Sequence, residues 1–215
     1  MFITFEGLDG SGKTTLISKL IEKLLELKPN LSYIQTREPG GKDIPEAEKI
    51  RELILNKETN ISAVAEALLY TTSRRIHLER VIWPALKNNK LVICDRYIDS
   101  FYAYQGFARN LGFKFVKKMT ELVIDKTFPD LTFYLNVTPE QGKKRRLEGR
   151  LIQDRLDQEK EEFHNKVYEA YQKLISKNKK RFIVINAYQS VDKVLEEIIE
   201  KLFKNPLFKK WWKEN

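Results

Sequence analysis

A glycine-rich octapeptide, GLDGSGKT at Gly7–Thr14, constrains this chain more than any other feature. It fits the phosphate-binding pattern G-x-x-x-x-G-K-[ST]. An apolar, β-rich segment (Phe2–Glu6) precedes it, and Thr15–Leu27 follows with its leucines and isoleucines at helical spacing. A strand, a glycine turn and a helix let backbone N–H groups and the positive end of the helix dipole converge on phosphate oxygens. The octapeptide therefore predicts a site for a nucleoside triphosphate.

Two residues, Thr14 in this turn and Asp95 at the end of another strand, are candidate ligands of Mg²⁺. Lys13 is expected to reach the β- and γ-phosphates, while the hydroxyl of Thr14 is expected to ligate the metal. Asp95 ends the apolar run Leu91–Asp95, and in P-loop proteins such a strand often stands beside the glycine loop and holds Mg²⁺. A chance glycine turn is the alternative, but a random match occurs in roughly one chain in a hundred of this length.

Strand-like and helix-like segments alternate along the chain, which predicts an α/β fold with a five-stranded parallel sheet flanked by helices on both faces. The expected strands are Phe2–Glu6, Ser32–Thr36, Lys90–Asp95, Leu131–Val137 and Arg181–Asn186. The further expected helices are Pro45–Asn56, Ala63–Asn88, Ile98–Gly106, Phe113–Asp125, Pro139–Glu148, Leu156–Lys177 and Val191–Phe203. Pro84 is expected to kink or end the longest of them. Ligands of such sheets bind at the carboxyl ends of the strands.

Charge and cysteine content restrict the partners and the compartment. The formal net charge of +9 over 215 residues leaves nucleic acid, an acidic membrane or small polyanions open as partners. The single cysteine, Cys94, cannot form an internal disulfide, so we expect a reducing cytoplasm. We expect no signal peptide, and no apolar stretch is long enough to cross a bilayer.

The segment DRYIDSFYAYQG, Asp95–Gly106, is rich in groups that could recognise a nucleobase. Its aromatic rings could stack on a base, its amide and hydroxyl could meet polar edges, and its guanidinium could bind a phosphate. An aromatic helix packed into the core is the alternative, above all for Phe101 and Tyr102.

Three arginines outside that segment are candidate anion or base ligands. Arg37 lies in the turn TREPGG that follows the second strand. Arg51 has Leu55 one turn on, and Arg74 shares a helical face with Tyr70. Solvated surface charges are the alternative for all three.

A charge-dense segment, Arg145–Glu159, supports two interpretations. It could be a salt-bridged helix. It could instead be a lid that folds over the triphosphate and supplies arginines to the transferred phosphoryl group.

Taken together, the motifs resemble the thymidylate kinase family, which phosphorylates dTMP to dTDP. They are FEGLDGSGKTT, TREPGG, IRELIL, LLYTTSRRIHL, VICDRYIDS, AYQG, PDLTFYLNVTPE, DRLDQE and NAYQS, in the family's order over about residues 1–203. The resemblance implies a P-loop nucleotide-kinase fold in a single domain (1–203) with a mobile lid at about 143–157. It also implies ATP and dTMP as substrates, Mg²⁺ as cofactor, a homodimer, and neither nucleic acid nor membrane as a partner.

The resemblance also assigns roles to individual residues. The catalytic group is Lys13, Arg96, Arg150 and Asp9, with Gly10 in the loop where other family members carry an arginine. ATP would contact Gly7, Leu8, Asp9, Gly10, Ser11, Gly12, Lys13, Thr14, Thr15, Arg145, Arg146, Asn186 and Gln189. The metal would bind Thr14 and Asp95.

The dTMP site implied by the resemblance comprises Asp9, Arg37, Pro39, Arg51, Leu55, Tyr70, Arg74, Arg96, Ser100, Tyr104 and Gln105. Within it, Tyr70 would stack on thymine, Arg74 would bond a thymine carbonyl, and Tyr104 would disfavour ribonucleotides. Three positions depart from the family pattern. Tyr70 replaces the usual phenylalanine, which adds a hydroxyl that needs a partner. Phe101 replaces a common small polar residue, so recognition of the base N3 edge would depend on Gln105 alone, and Asn186 stands where aspartate is common.

Other interpretations stay open at this point. The chain could be another P-loop nucleoside or nucleotide kinase, or an ATP-dependent nucleic-acid-binding protein. The basic aromatic tail KNPLFKKWWKEN, residues 204–215, lies beyond the resemblance. It could touch a membrane or nucleic acid, or pack onto its own subunit or a partner, and the last option is favoured.

Overall fold

One parallel sheet of five strands organises the chain, in the order β2-β3-β1-β4-β5. The computed structural model describes residues 1–41, 43–149, 156 and 159–215. The strands are β1 (Phe2–Glu6), β2 (Tyr33–Arg37), β3 (Leu91–Asp95), β4 (Leu131–Asn136) and β5 (Phe182–Asn186). The predicted fold class, an α/β fold on a five-stranded parallel sheet, is confirmed, and each predicted strand is found within a residue or so of its expected bounds.

The central strand β1 is buried along its whole length, because helices cover the faces of the sheet. Strand β3 pairs with one edge of β1 and β4 with the other. Phe5 is level with Asp95 of β3, and Asp95 is level with Arg37 of β2. The carboxyl ends of these three strands therefore meet at one edge of the sheet, where parallel sheets bind ligands.

Helices flank this sheet. They are α1 (Lys13–Leu27), α2 (Pro45–Leu55), α3 (Ala63–His77), α4 (Trp83–Lys87), α5 (Ile98–Phe101), α6 (Phe113–Ile124), α7 (Pro139–Gly149), α8 (Glu161–Lys177), α9 (Val191–Lys204) and α10 (Pro206–Glu214). Helix α1 buries its apolar face on β1 and β3. Among the described residues, no helix combines the length and the hydropathy that crossing a membrane requires.

The predicted long helix over residues 63–88 is interrupted near Pro84, as the sequence predicted. A π-helical turn at Leu78–Ile82 separates α3 from α4, and Pro84 is the second residue of α4. Proline lacks an N–H and its ring clashes with the carbonyl four residues earlier, so the wider turn just before it accommodates the ring.

The predicted helix over residues 98–106 also changes its winding. After α5, a π-helical turn runs over Tyr102–Ala108. A Cβ on Gly106 would lie 2.8 Å from Val116 Cγ2, so α6 packs directly against this turn. The wide turn and the close neighbour hold the side chains of Tyr104 and Gln105 at the sheet edge described above.

The chain ends in a helix that packs onto its own subunit. Phe208 of α10 is fully buried, and its ring stacks on Trp212 with centroids 5.5 Å apart. Lys28, just after α1, donates from Nζ to the carbonyl of Trp212 at 3.0 Å. The structure therefore agrees with the favoured interpretation of the tail, that it packs onto its own subunit or a partner.

Candidate active site

The glycine turn folds tightly over the end of β1. Gly7 has φ +143°, and a Cβ there would lie 2.7 Å from the carbonyl oxygen of Leu135. Gly12 has φ +89° and lets α1 begin at Lys13. Both backbone conformations favour glycine, and together they aim the start of α1 at the space above the sheet edge.

Lys13 is buried and bound by the turn itself. Its Nζ donates to the carbonyls of Leu8 at 2.9 Å and Gly7 at 3.2 Å, and lies 3.3 Å from Ser11 Oγ. Burial, then the charge of Arg96, lowers the pKa of Lys13 to about 8. Since phosphate oxygens would attract the ammonium more strongly than neutral carbonyls do, the side chain is positioned to exchange partners when an anion arrives.

Thr14 and Asp95 face each other across the gap between α1 and β3. Thr14 Oγ1 donates to Asp95 Oδ2 at 2.7 Å. A hydroxyl oxygen beside a carboxylate oxygen matches the hard, oxygen-only ligands that Mg²⁺ takes in phosphate sites, where substrate phosphates and water complete its coordination. The pair fits the predicted metal site.

Arg96 lies at the centre of a polar cluster. Its backbone has φ +68°, an uncommon conformation for a non-glycine residue. Nη2 donates to Asp9 Oδ1 at 2.8 Å and Nη1 to Ser100 Oγ at 2.9 Å, while Tyr104 donates to Asp9 Oδ2 at 3.0 Å. Burial alone would lower the pKa of Arg96, but Asp9 and then Tyr104 raise it well above its ordinary value. The guanidinium is a permanent cation at this edge.

A buried carboxylate, Glu6, supports that cluster from below. It accepts from Ser100 Oγ at 2.5 Å, from the backbone N–H of Tyr97 at 2.8 Å and from Tyr171 at 2.8 Å. Burial, reinforced by the charge of Asp99, raises the pKa of Glu6. The sequence analysis assigned Glu6 no role, although a carboxylate at the end of a buried strand was a usable signal.

Two further arginines occupy the turn after β2 and the helix that follows. Arg37 Nη2 donates to Glu48 Oε2 at 2.6 Å, and Arg51 Nη1 donates to the carbonyl of Pro39 at 2.8 Å. Ser73 Oγ accepts from the N–H of Gly40 at 3.1 Å and so ties the turn to α3. Both guanidinium groups are therefore held at the cleft by their own turn and helix.

Arg74 of α3 is buried among aromatic rings. Its Nε donates to Glu38 Oε2 at 2.7 Å, and its guanidinium lies 5.0 Å from the ring of Phe101 and 5.3 Å from that of Tyr97. No hydrogen-bond partner for Nη1 exists among the described residues. Sequence reasoning found Arg74 but missed Glu38, which stands in the TREPGG turn that it had singled out.

Gln105, like Arg74, has a hydrogen-bond partner for only part of its polar group. Its amide Nε2 donates to the buried carboxylate of Glu66, whereas Oε1 is buried with no partner in the described part of the chain. Glu66 was also missed. It stands one helical turn before Tyr70 and two before Arg74, so the shared helix face could have found it.

These groups line one cleft of about 390 Å³. Every residue predicted to bind dTMP lines it, as do Gly10, Gly12, Lys13, Thr14, Thr15, Asp95 and Arg145. Gly7, Leu8 and Ser11 form the turn without lining the cleft, and Asn186 and Gln189 do not line it either. Glu38 and Leu156 line the cleft without a predicted role. Tyr97 and Phe101, which belong to the aromatic segment Asp95–Gly106, line it too, and the ring of Phe101 lies under the guanidinium of Arg74.

Arg145 of α7 connects the cleft with the loop after β5. Nη2 donates to the carbonyl of Gln189 at 3.3 Å, and the guanidinium lies 5.6 Å from the ring of Tyr188. The three residues thus share one corner, next to the glycine turn. The predicted lid arginine, Arg150, and the side chain of Arg146 lie outside the described residues.

Comparison with known proteins agrees with this geometry. A family model described as thymidylate kinase matches residues 5–198. A thymidylate kinase of Mycoplasmopsis agalactiae is 63% identical over 215 residues, covering 100% of both chains. One of Mycoplasma mobile is 47% identical over 206 residues, covering 95% of this chain and 98% of the relative.

Solved structures give the same result. The crystal structure of thymidylate kinase from Ehrlichia chaffeensis matches with a TM-score of 0.76 and 34% sequence identity. The match covers 94% of this chain and 97% of the other. The likeness therefore extends over the sheet, the glycine turn and the helices that carry the cleft.

Proposed function

The chain belongs to the thymidylate kinase family and transfers the γ-phosphoryl group of ATP to dTMP, giving dTDP and ADP; we propose that the cleft residues carry this reaction in the following way. The observation that carries the proposal is the division of one cleft into a cationic end at the glycine turn and a base end with an unpartnered donor and an unpartnered acceptor. The first end suits phosphates and the second suits thymine.

The cationic end would receive the ATP phosphates. Lys13 would leave the carbonyls of its own turn and bind the β- and γ-phosphates, and the N–H groups of the turn and of α1 would bind their oxygens. Thr14 and Asp95 would hold Mg²⁺, which when bound neutralises phosphate charge. Their 2.7 Å contact supports this assignment, because it already brings the two ligand oxygens together.

The acceptor phosphate would lie among Arg37, Arg51 and Arg96. A phosphate monoester with a second pKa of about 6 is already a dianion at neutral pH, so its attacking oxygen needs no protein base. The difficulty is repulsion, because two unit charges about 4 Å apart repel by about 4 kcal/mol at an effective dielectric constant of about 20. Fixed cations that offset this repulsion and align the two phosphates supply most of the catalysis in such a site. Asp9 would hold Arg96 in place.

The base end would recognise thymine by two matched hydrogen bonds. Arg74 Nη1 can only donate and Gln105 Oε1 can only accept, and neither has a partner among the described residues. Thymine offers the carbonyl O4 beside N3–H, an acceptor next to a donor, which is the complementary pair. Tyr70 and Leu55 would cover the faces of the ring, and Tyr104 would crowd the 2′ carbon of the sugar.

The remaining assignments concern the adenine side and the lid. Arg145, Arg146, Asn186 and Gln189 would approach the adenine of ATP, since Arg145 already contacts Gln189. Arg150 would reach the transferred phosphoryl group from a lid at about residues 143–157, within a single kinase domain over 1–203. Lid arginines that act in this way stabilise the charge of the transition state.

The proposed compartment is the cytoplasm, and the proposed assembly is a homodimer. Cys94 is a buried free thiol, and burial raises its pKa well above the ordinary value, as expected for a cysteine with a structural role. Helices α3 and α6 pack together and leave Leu68 54% and Leu122 82% exposed, which suits an apolar contact with a second copy. Sedimentation velocity of the wild type and of Leu122→Glu tests the dimer.

A substrate panel tests the proposed function. Purified protein is assayed with ATP and Mg²⁺ against dTMP, dUMP, thymidine, CMP and AMP, and ADP formation is measured. We expect dTMP to have the highest kcat/KM, with thymidine inert because it brings no phosphate to the arginines. A preference for CMP or AMP would contradict the base-end assignment.

A further inference from the structure

A contact behind the base end goes beyond the groups that would touch dTMP. Glu66 of α3 is 1% exposed, and its carboxylate accepts the amide N–H of Gln105. Gln105 is equally buried and lines the cleft, and its Oε1 has no partner in the described part of the chain. Two buried polar side chains from different helical segments therefore meet at the wall of the cleft.

The chemistry of this contact fixes the orientation of the Gln105 amide. An ionised carboxylate has only acceptor sites, so it can bind the NH₂ side of an amide and repels the carbonyl side. A glutamine by itself can turn about its last torsion and present either side. Beside Glu66 only one orientation keeps the two groups bonded, and in that orientation Oε1 is turned away from Glu66.

A second set of charged groups holds the carboxylate of Glu66 in place. The guanidinium of Arg109 lies 3.6 Å from Glu66 and 2.6 Å from Glu159, so one cation links the two carboxylates. Its other face lies 4.8 Å from the ring of Phe163 on α8. A cation and hydrogen-bond donors beside a buried carboxylate offset the cost of its desolvation.

We propose that Glu66 is a positioning residue for base specificity: it locks the Gln105 amide with its carbonyl toward the substrate, so that the cleft accepts a base with a donor at N3 and rejects one with an acceptor there. Thymine carries N3–H, whereas cytosine carries a bare N3. The inference rests on the proposed function, because it concerns the base end of the dTMP site. It assigns the choice between the two bases to a residue that touches neither.

The test replaces Glu66 with its neutral isostere. In Glu66→Gln the new side chain can donate as well as accept, so the Gln105 amide is free to turn and offer its NH₂ group to an N3 acceptor. The readout is the ratio of kcat/KM for dTMP to kcat/KM for 5-methyl-dCMP, which has the same methyl group, sugar and phosphate. We expect this ratio to fall about tenfold, the size of one hydrogen-bond mismatch. It will not reach unity, because Arg74 still opposes the cytosine amino group.

Matched controls separate positioning from general damage. Glu79→Gln changes an exposed glutamate in the π-helical turn after α3 that pairs with Arg75, and we expect it to leave the ratio unchanged. In a Gln105→Leu background there is no amide to turn, so adding Glu66→Gln should change the ratio by less than about twofold. Calorimetric Kd values for the two nucleotides without ATP give the same ratio independently of catalysis.

The outcomes are distinct. A ratio that stays at the wild-type value in a folded Glu66→Gln protein overturns the inference, as does an equal fall in the Gln105→Leu background. If Glu66→Gln does not fold, Glu66→Asp keeps the charge beside Arg109 but withdraws the carboxylate from Gln105, and the same fall is expected. A wild type that binds neither nucleotide overturns the proposed function, and this inference with it, before any variant is compared.

Discussion

The two ends of the cleft handle their polar groups in opposite ways. The phosphate end is the cationic end of the cleft, at the glycine turn, together with the arginines proposed for the acceptor phosphate. Its cations have protein partners: Lys13 binds the carbonyls of its own turn, Arg96 binds Asp9, and Arg51 binds the carbonyl of Pro39. At the base end, Arg74 Nη1 and Gln105 Oε1 lack partners among the described residues. Arg37 Nε is the exception at the phosphate end, since it also lacks one there.

The difference indicates how each end uses its binding free energy. Phosphates must displace existing partners, so their net gain is small in the ground state and largest where negative charge concentrates during transfer. A buried polar atom without a partner costs about 1–3 kcal/mol, and a base that supplies the matching group removes that cost. The phosphate end is therefore expected to govern kcat, and the base end KM and selectivity for dTMP.

Removing the cation of the glycine turn should have the largest effect. Lys13→Ala is expected to lower kcat by about a thousandfold or more, because no other group takes the place of an ammonium at the γ-phosphate. Binding of dTMP, measured by calorimetry, should stay near wild type. Lys19→Ala, which changes a half-buried lysine of the same helix that pairs with Asp192, is the control. Substantial turnover by Lys13→Ala would disprove the glycine-turn assignment.

The lid arginine comes next. Arg150→Ala is expected to lower kcat by about a hundredfold or more, with little change in the Kd for dTMP, since its proposed contact forms only during transfer. Single-turnover kinetics and calorimetry measure the two quantities. Lys144→Ala, an exposed lysine of α7, should leave both unchanged. Near-normal turnover by Arg150→Ala would remove it from the mechanism.

A pH profile tests the phosphate end without a mutation. Burial lowers the pKa of Lys13 to about 8, so above that pH the side chain is increasingly neutral and attracts phosphate less. We expect kcat/KM for ATP to fall about tenfold per pH unit above this pKa, since kcat/KM reports ionisations of the free enzyme. The fall in kcat should begin at higher pH, because bound triphosphate stabilises the protonated form. A flat kcat/KM profile to pH 10 would contradict this assignment.

The smallest effect belongs to the base end. Arg74→Lys keeps a cation beside Glu38 but removes Nη1, so KM for dTMP should rise about tenfold while kcat changes by less than about twofold. Arg74→Leu leaves Glu38 buried without its cation and should lower the free energy of unfolding by about 3–5 kcal/mol. Steady-state kinetics and thermal unfolding distinguish these effects. A large fall in kcat for Arg74→Lys would contradict the proposal that the base end governs KM and the phosphate end kcat.

Local patterns carried most of what could be predicted from the sequence. The turn Gly7–Thr14 is a local event, because glycine spacing, the preceding strand and the following helix lie within a few residues. The predicted dTMP ligands converge because their segments follow neighbouring strands of one sheet. The choice of partner for each polar group could not be predicted, since Glu38 meets Arg74 and Glu66 meets Gln105 only after distant segments pack.

The π-helical turns show the same limit. Pro84 indicated an interruption, but nothing local distinguishes the wide turn Tyr102–Ala108 from an ordinary helix. The turn packs closely against α6, where Val116 approaches Gly106, and this tertiary contact has no local sequence signal. The expected helix start at Leu156 was also early, because α8 begins at Glu161.

The C-terminal helix has a practical consequence for handling the protein. Trp212 and Phe208 cover the ring of Phe203 on α9, with centroids 5.3 Å and 5.2 Å away. Exposed lysines at 209, 210 and 213 are cleavage sites for trypsin-like proteases. Cleavage after Lys209 or Lys210 would remove Trp211 and Trp212 and uncover the ring of Phe203, which does not line the cleft. Such a preparation should precipitate on storage while still active, so intact mass is a better measure of sample quality than an activity assay.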